Sequence, residues 1–107
     1  MKIEVLSIPD CPHRARAVES VRQALRSANT NAEIVEIVVS DSATAAHLRF
    51  AGSPTVRINN RDVDEVLFTE VNFGLRCRLY SNPENPGVPS REALLRAIRT
   101  ALREEAQ

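Results

Sequence analysis

The sequence has few of the residues that build disulfide frameworks, membrane spans or large aromatic cavities. It contains no tryptophan, its aromatic content is 4%, and its two cysteines are Cys11 and Cys77. Two cysteines are too few for a disulfide framework, and no apolar run approaches the ~20 residues of a spanning helix. The apolar stretch at 3–8 is short and is interrupted by Glu4 and Ser7, unlike a signal peptide. We therefore expect a cytoplasmic protein with both cysteines reduced.

An excess of charge of one sign is also absent. Lys and Arg together number 14, as do Asp and Glu, so the formal net charge is zero. Because nucleic acids and anionic membranes attract clustered positive charge, we expect neither as a partner. The length of 107 residues suits one domain, so we assign residues 1–107 to a single domain.

Two hydrophobic patterns alternate along the first half of the chain. Runs rich in Val and Ile predict buried strands, and apolar residues at spacings of three and four predict an amphipathic helix. Pro12 suits the first turn of that helix, and Ser40 or Asp41 is suited to cap a second, short helix. The predicted elements are strands at 3–8, 32–39 and 55–58, a helix over about 12–28, and a helix that ends near 48.

The second half is less regular. Leu75, Cys77 and Leu79 alternate with polar neighbours, which predicts a half-exposed edge strand whose cysteine points into the core. The remaining segments are a turn at 59–62, an irregular connection at 63–74, a proline-rich loop at 82–89, and a helix that opens at 89–92.

The resulting order is strand, helix, strand, helix, strand, strand, helix, which predicts an α/β fold. The first strand–helix–strand unit is parallel and crosses over right-handedly. The short connection between the last two strands allows them to pair antiparallel. We expect a four-stranded mixed sheet with helices on both of its faces.

Two short motifs lie in loops between the predicted elements. Pro9-Asp10-Cys11-Pro12-His13 lies between the first strand and the first helix, and Gly52-Ser53-Pro54-Thr55-Val56 lies just before the third strand. The element order and these motifs resemble the thioredoxin and glutaredoxin superfamily, with its βαβαββα arrangement. The first motif is similar to the active-site turn of that superfamily, and the second to its cis-proline loop. The resemblance implies a thiol–disulfide exchange activity centred on Cys11.

Three shorter stretches narrow the resemblance. Gly-Ser-Pro-Thr-Val, Asn-Arg-Asp-Val and Cys-Arg-Leu-Tyr are similar to a bacterial group of small thioredoxin-like proteins, some of which carry an alkylmercury-lyase-type name. The sequence departs from the superfamily pattern at Arg14, which stands where the second cysteine of C-x-x-C belongs. A dithiol cycle needs a second sulfur to release the mixed disulfide. A single-cysteine route that uses glutathione as co-substrate remains open.

Cys11 is the candidate nucleophile. At the start of a helix, free backbone N–H groups and the positive dipole end stabilise a thiolate, and His13 and Arg14 add positive charge nearby. His13 is also a candidate proton shuttle for the thiol. The alternative readings are an inert, half-buried Cys11 on an inherited scaffold and a solvated His13 in a first turn.

The resemblance assigns partner contacts to the two motifs. Pro12, Ser53, Pro54 and Thr55 are the candidate substrate-binding residues, and the loop at 53–55 is implied to offer backbone N–H and C=O groups to an extended thiol-bearing ligand. The Ser53–Pro54 bond is implied to be cis, which only X–Pro bonds adopt at low cost. An ordinary trans proline at the start of a strand is the alternative.

Cys77 is a possible second thiol. A fourth strand two positions away from the first lies roughly 10 Å from it, which exceeds disulfide reach without movement, so a core position is the alternative reading. Strand arginines at 57, 76 and 78 fit either a solvated face or a site for the carboxylates of glutathione. Asp10 fits a helix cap, and Asp62 and Asp64 fit turn chemistry.

Three functions are compatible with these residues. The first is a thiol-redox protein in which Cys11 attacks a protein disulfide or a glutathione adduct, without a resident cofactor or metal. The second is a soft-metal binder that holds mercury or copper(I) on thiolates. The third is a non-enzymatic binding module that has lost the second cysteine.

Overall fold

The computed structural model describes residues 1–64 and 73–106. Four strands and three helices follow one another along these residues. They are β1 (Lys2–Ser7), α1 (Arg14–Ser27), β2 (Glu33–Val38), α2 (Ser42–His47), β3 (Thr55–Ile58), β4 (Arg61–Asp62) and α3 (Arg91–Glu105).

The strands form one mixed sheet in the order β2-β1-β3-β4. β1 pairs parallel with β2 and antiparallel with β3, and β4 pairs antiparallel with β3. β1 lies inside the sheet, and its residues Ile3, Val5, Leu6 and Ser7 are buried, as expected of a strand covered on both faces. The predicted α/β fold with a four-stranded mixed sheet is confirmed.

Two apolar clusters place helices on both faces of the sheet. Ile3 and Val5 of β1 pack in a cluster with the buried faces of α1 and α3, whereas Leu6 points the other way and packs with Ala45 of α2 and with Phe50. This division follows from the two-residue period of a strand. The arrangement leaves the β1–α1 turn and the segment before β3 at the same end of the sheet, because β1 and β3 run antiparallel.

The helix starts follow the predicted capping chemistry in two of three cases. Asp41 Oδ1 accepts a hydrogen bond from Thr44 N at 2.8 Å, and Ser90 Oγ accepts one from Ala93 N at 3.1 Å. α1 begins with His13 at its N-cap position and no side-chain cap. The prediction that Asp10 caps this helix is therefore wrong, because Asp10 lies too far before the first helical turn and has φ 58°.

The fourth strand lies elsewhere than predicted. Asn59 and Asn60 both have positive φ, as a tight two-residue hairpin requires, and the chain returns along β3 as β4 (Arg61–Asp62). The segment 75–79 makes only an isolated parallel bridge between Cys77 and Ser53.

Burial along the segment 75–79 is also the reverse of the prediction. Leu75 and Leu79 are 41% and 82% exposed, and Cys77 is exposed rather than in the core. Arg78, by contrast, is 6% exposed and Tyr80 is 5% exposed. Burial alternates only from Cys77 to Tyr80, where Arg78 and Tyr80 face inward, whereas Arg76 is exposed like its neighbours.

A buried ion pair explains this reversal. Arg78 Nη1 and Nη2 donate to the two carboxylate oxygens of Asp62 at 2.7 and 2.9 Å, and both side chains are about 5% exposed or less. The guanidinium also lies 4.5 Å from the centre of the Tyr80 ring. A paired and stacked guanidinium is tolerated in the interior, so apolar periodicity alone did not identify the inner face.

Two further predictions concern this region. The expected turn chemistry of Asp62 is confirmed, since its Oδ1 accepts a hydrogen bond from Asp64 N, two residues on, at 2.9 Å. The expectation that Arg78 lies on a solvated face or binds an external anion is wrong, because Arg78 is buried and paired with Asp62. Most of the predicted irregular connection at 63–74 lies outside the described residues. Within the described ranges, no helix is long and apolar enough to cross a membrane.

Candidate functional site

The register of β1 against β3 brings the two sequence motifs together. Leu6 lies opposite Thr55 in this antiparallel pair, and continuing the same register past the strand ends places Ile8 opposite Ser53. A hydrogen bond joins these two residues, with Ile8 N donating to Ser53 Oγ at 3.0 Å. The turn that carries Cys11 and the loop that carries Pro54 are therefore adjacent.

Cys11 lies in the turn between β1 and α1. Its N–H donates to Ile8 O at 3.3 Å, and its carbonyl accepts from Arg14 N, the first residue of the helix, also at 3.3 Å. The side chain is 8% exposed. The predicted place just before the first helix is confirmed, although the sulfur is more enclosed than a freely accessible nucleophile.

His13 packs against a residue that sequence reasoning did not single out. A Cβ atom added to Gly87 would lie 2.6 Å from Nδ1 and Cε1 of the imidazole. The half-buried ring therefore rests on the backbone of the proline-rich loop at 82–89. In the sequence, the sign of this contact is the glycine at position 87, and a glycine does not by itself indicate which residue packs against it.

The remaining residues of the turn are polar or exposed. Pro12 is exposed, and Arg14 Nε lies 3.7 Å from Glu36 Oε1 at the surface. Such an exposed pair contributes little to stability.

The loop before β3 has the predicted proline geometry. The Ser53–Pro54 peptide bond is cis. Thr55 Oγ1 donates to Gly52 O at 2.6 Å, and Gly52 has φ +118°, a conformation that L side chains rarely adopt. Ser53, Pro54 and Thr55 are all buried, so these residues form an inner wall behind the turn that carries Cys11.

The backbone groups of this loop are bonded within the chain. Ser53 N donates to Arg76 O at 2.7 Å, and Ser53 O accepts from Arg78 N at 3.0 Å. Tyr80 Oη donates to Pro54 O at 2.5 Å. The expectation that the loop offers these groups to an extended ligand is therefore wrong, because the segment 76–80 already satisfies them.

Cys77 is close to the loop but not paired with Cys11. Its backbone bridges to Ser53, whereas its side chain is exposed and Cys11 is buried, and both thiols are free. Within residues 1–64 and 73–106, no three His, Cys, Asp or Glu side chains are grouped as metal ligands.

Burial acts on the pKa of two groups beside the loop, and both groups stay protonated. It raises the pKa of Tyr80 well above the usual tyrosine range, so the hydroxyl remains a donor to Pro54. Burial disfavours the charged form of Arg78, but the hydrogen bonds to Asp62 and the nearby negative charges outweigh it and raise the pKa of Arg78.

Comparison with known proteins does not assign this chain to a family. Family models, curated proteins and solved structures were each compared with the chain, and none matches it.

Proposed function

We propose that this chain is a thioredoxin-like, single-cysteine thiol-redox protein whose nucleophile is Cys11. The observation that carries the proposal is the hydrogen bond between Ile8 N and Ser53 Oγ, which joins the cysteine turn to the cis-proline loop. The order of strands and helices and the two motifs at 9–13 and 52–56 support it by resemblance. Cytoplasmic thiols and disulfides are its natural partners.

The proposed reaction uses glutathione as co-substrate. The Cys11 thiolate attacks the glutathione sulfur of a glutathionylated protein, forms a mixed disulfide with it, and releases the protein thiolate, which takes a proton from solvent. A second glutathione thiolate then attacks the same glutathione sulfur, giving oxidised glutathione and regenerating Cys11. One cysteine suffices, which fits Arg14 at the position of the absent second thiol.

The burial of Cys11 limits which partners react. Because its side chain is 8% exposed, a bulky disulfide reaches the sulfur only when the turn at 9–12 moves outward. We therefore expect slower exchange with bulky protein disulfides than with small ones. His13 would hold or deliver a proton near the turn, and Pro12, which is exposed, would contact the partner. Ser53, Pro54 and Thr55, which are buried, would support the turn from behind.

A binding module without catalysis is the second candidate. The enclosed Cys11 and the internally bonded loop favour it, because neither presents an open reactive group. Under this alternative the surface around Pro12 binds a partner and the thiol takes no part.

Exchange kinetics distinguish the two candidates. We expect the wild-type protein and Cys77→Ser to transfer glutathione from a glutathionylated peptide, and Cys11→Ser to lose this activity. Cys77→Ser is the matched control, since it removes the other thiol at an exposed position. Equal background rates for all three proteins, with Cys11 alkylated no faster than Cys77, would favour the binding module.

A further inference from the structure

The segment 76–80 contacts each residue of the loop at 53–55. Its backbone bonds to both polar groups of Ser53, Tyr80 Oη bonds to Pro54 O at 2.5 Å, and Arg78 Nη1 lies 3.4 Å from Thr55 Oγ1. These contacts come from a stretch that was expected to be an ordinary edge strand. The polar groups of the loop that face the segment 76–80 are therefore already hydrogen-bonded, which holds the loop in this conformation.

The segment is itself anchored to the β3–β4 hairpin. Arg78 holds the Asp62 carboxylate with two parallel hydrogen bonds and donates to Asp64 O at 2.6 Å. A planar guanidinium that makes such a forked contact is fixed in orientation as well as position. A Cβ on Gly52 would lie 2.9 Å from Arg78 Cβ, so the loop and the segment are packed too closely for a side chain at position 52.

The same contacts extend to the cysteine turn. Ser53, held on its backbone by residues 76 and 78, accepts a hydrogen bond from Ile8 N, and Ile8 O accepts one from Cys11 N. A continuous path of hydrogen bonds therefore runs from the Arg78 backbone through Ser53 to Cys11. Nothing in the proposed reaction uses Asp62, Arg78 or Tyr80 directly.

We propose that Arg78 and Tyr80 are positioning residues for thiol exchange, fixing the loop at 53–55 as a rigid wall beside Cys11. The inference rests on the proposed function. A cysteine turn that this wall already holds in place costs less conformational entropy when a partner binds at the turn. The hydroxyl of Tyr80 and the fork of Arg78 therefore act on partner binding through the loop.

Tyr80→Phe is the test variant, because it removes one hydroxyl and keeps the ring that stacks on Arg78. We expect the KM for the glutathionylated peptide to rise several-fold with kcat changed much less, and the Ile8 amide to exchange hydrogen faster than in wild type. Arg78→Lys keeps the charge and loses the fork, and we expect the same two changes. Val21→Ala is the control for lost stability, since Val21 is buried in the α1 cluster away from the loop.

The outcomes separate this inference from the proposed function. An active wild-type protein whose KM and Ile8 exchange are unchanged in Tyr80→Phe, or are changed equally in Val21→Ala, overturns the positioning role alone. A wild-type protein without exchange activity overturns the proposed function and the positioning role with it. In that case, hydrogen exchange of the Ile8 amide reports only whether the Tyr80 hydroxyl fixes the loop at 53–55.

Discussion

Residues 2–38 and residues 74–89 are held in place by different interactions. The first region is a strand–helix–strand unit whose stability comes from apolar burial, with residues such as Ile3, Val5 and Val21 fully enclosed. The second has no helix or regular strand. Val88 packs in the same apolar cluster as the first region, but the segment before it is held by hydrogen bonds and a buried ion pair. Apolar burial is non-directional and tolerates small shifts, whereas a forked ion pair specifies one geometry.

This difference predicts where single substitutions act most strongly. In the first region, the loss of one side chain leaves a cavity, and neighbouring side chains relax partly into it. In the second, the loss of one partner leaves a buried charge that no neighbour neutralises. Three substitutions, each with a matched control at an exposed or open position, test this distinction.

Arg78→Ala has the largest expected effect. It leaves the Asp62 carboxylate buried and unpaired, which lowers the free energy of unfolding by about 4 kcal/mol. Urea denaturation measures the change, and Arg76→Ala, at an exposed arginine two residues earlier, is expected to change it by less than about 0.5 kcal/mol. A loss of this size is a large fraction of the stability of a small domain, so a second variant is measured as well. The double variant Asp62→Leu with Arg78→Met removes both charges and is expected to recover most of the lost free energy of unfolding. Similar effects of Arg78→Ala and Arg76→Ala would show that the ion pair does not hold this region.

Leu94→Ala tests the apolar cluster that the first region shares with α3, on which Leu94 lies. Leu94 is fully buried between α3 and the sheet, so its truncation lowers the free energy of unfolding by about 3 kcal/mol through lost burial and a cavity. Leu79→Ala is the control, because Leu79 is 82% exposed. A loss at Leu79 equal to that at Leu94 would mean that Leu79 is covered in solution, contrary to its exposure here.

Gly87→Ala has the smallest expected effect on stability and the most local one. The new methyl group occupies the place of the His13 imidazole, so the ring rotates away at a cost of about 1 kcal/mol. The NMR resonances of His13 are expected to shift, whereas Gly74→Ala, with no atom within 4 Å of the new Cβ, leaves them in place. Unchanged His13 resonances in Gly87→Ala would contradict the packing of the ring on this loop.

The same two regions explain how much of the fold was predictable. The helix predicted at 12–28 is observed at Arg14–Ser27, and the strand predicted at 55–58 is β3. These elements are encoded locally, by hydrophobic periodicity and by turn-forming residues that lie within a few positions of them. The predicted cis proline before β3 is also present, although that expectation came from resemblance rather than from periodicity.

The second region was not predictable because its partners are distant in sequence. Arg78 and Asp62 are 16 residues apart, and Tyr80 and Pro54 are 26 apart. Neither pair leaves a local pattern, so the alternation of Leu75, Cys77 and Leu79 suggested the wrong inner face. The position of Cys11 followed from its motif, whereas its enclosure and the contact between His13 and Gly87 required the packed structure.

The ring that bonds to Pro54 has an optical consequence. Tyr80 is the only tyrosine of the chain, and there is no tryptophan, so the long-wavelength end of the near-ultraviolet absorption and emission comes from a single chromophore. That chromophore is buried, lies 4.5 Å from a guanidinium and touches the cis-proline loop. Unlabelled protein therefore carries its own fluorescent reporter at the wall of the candidate site, and a change in tyrosine emission on adding a disulfide reports on this loop.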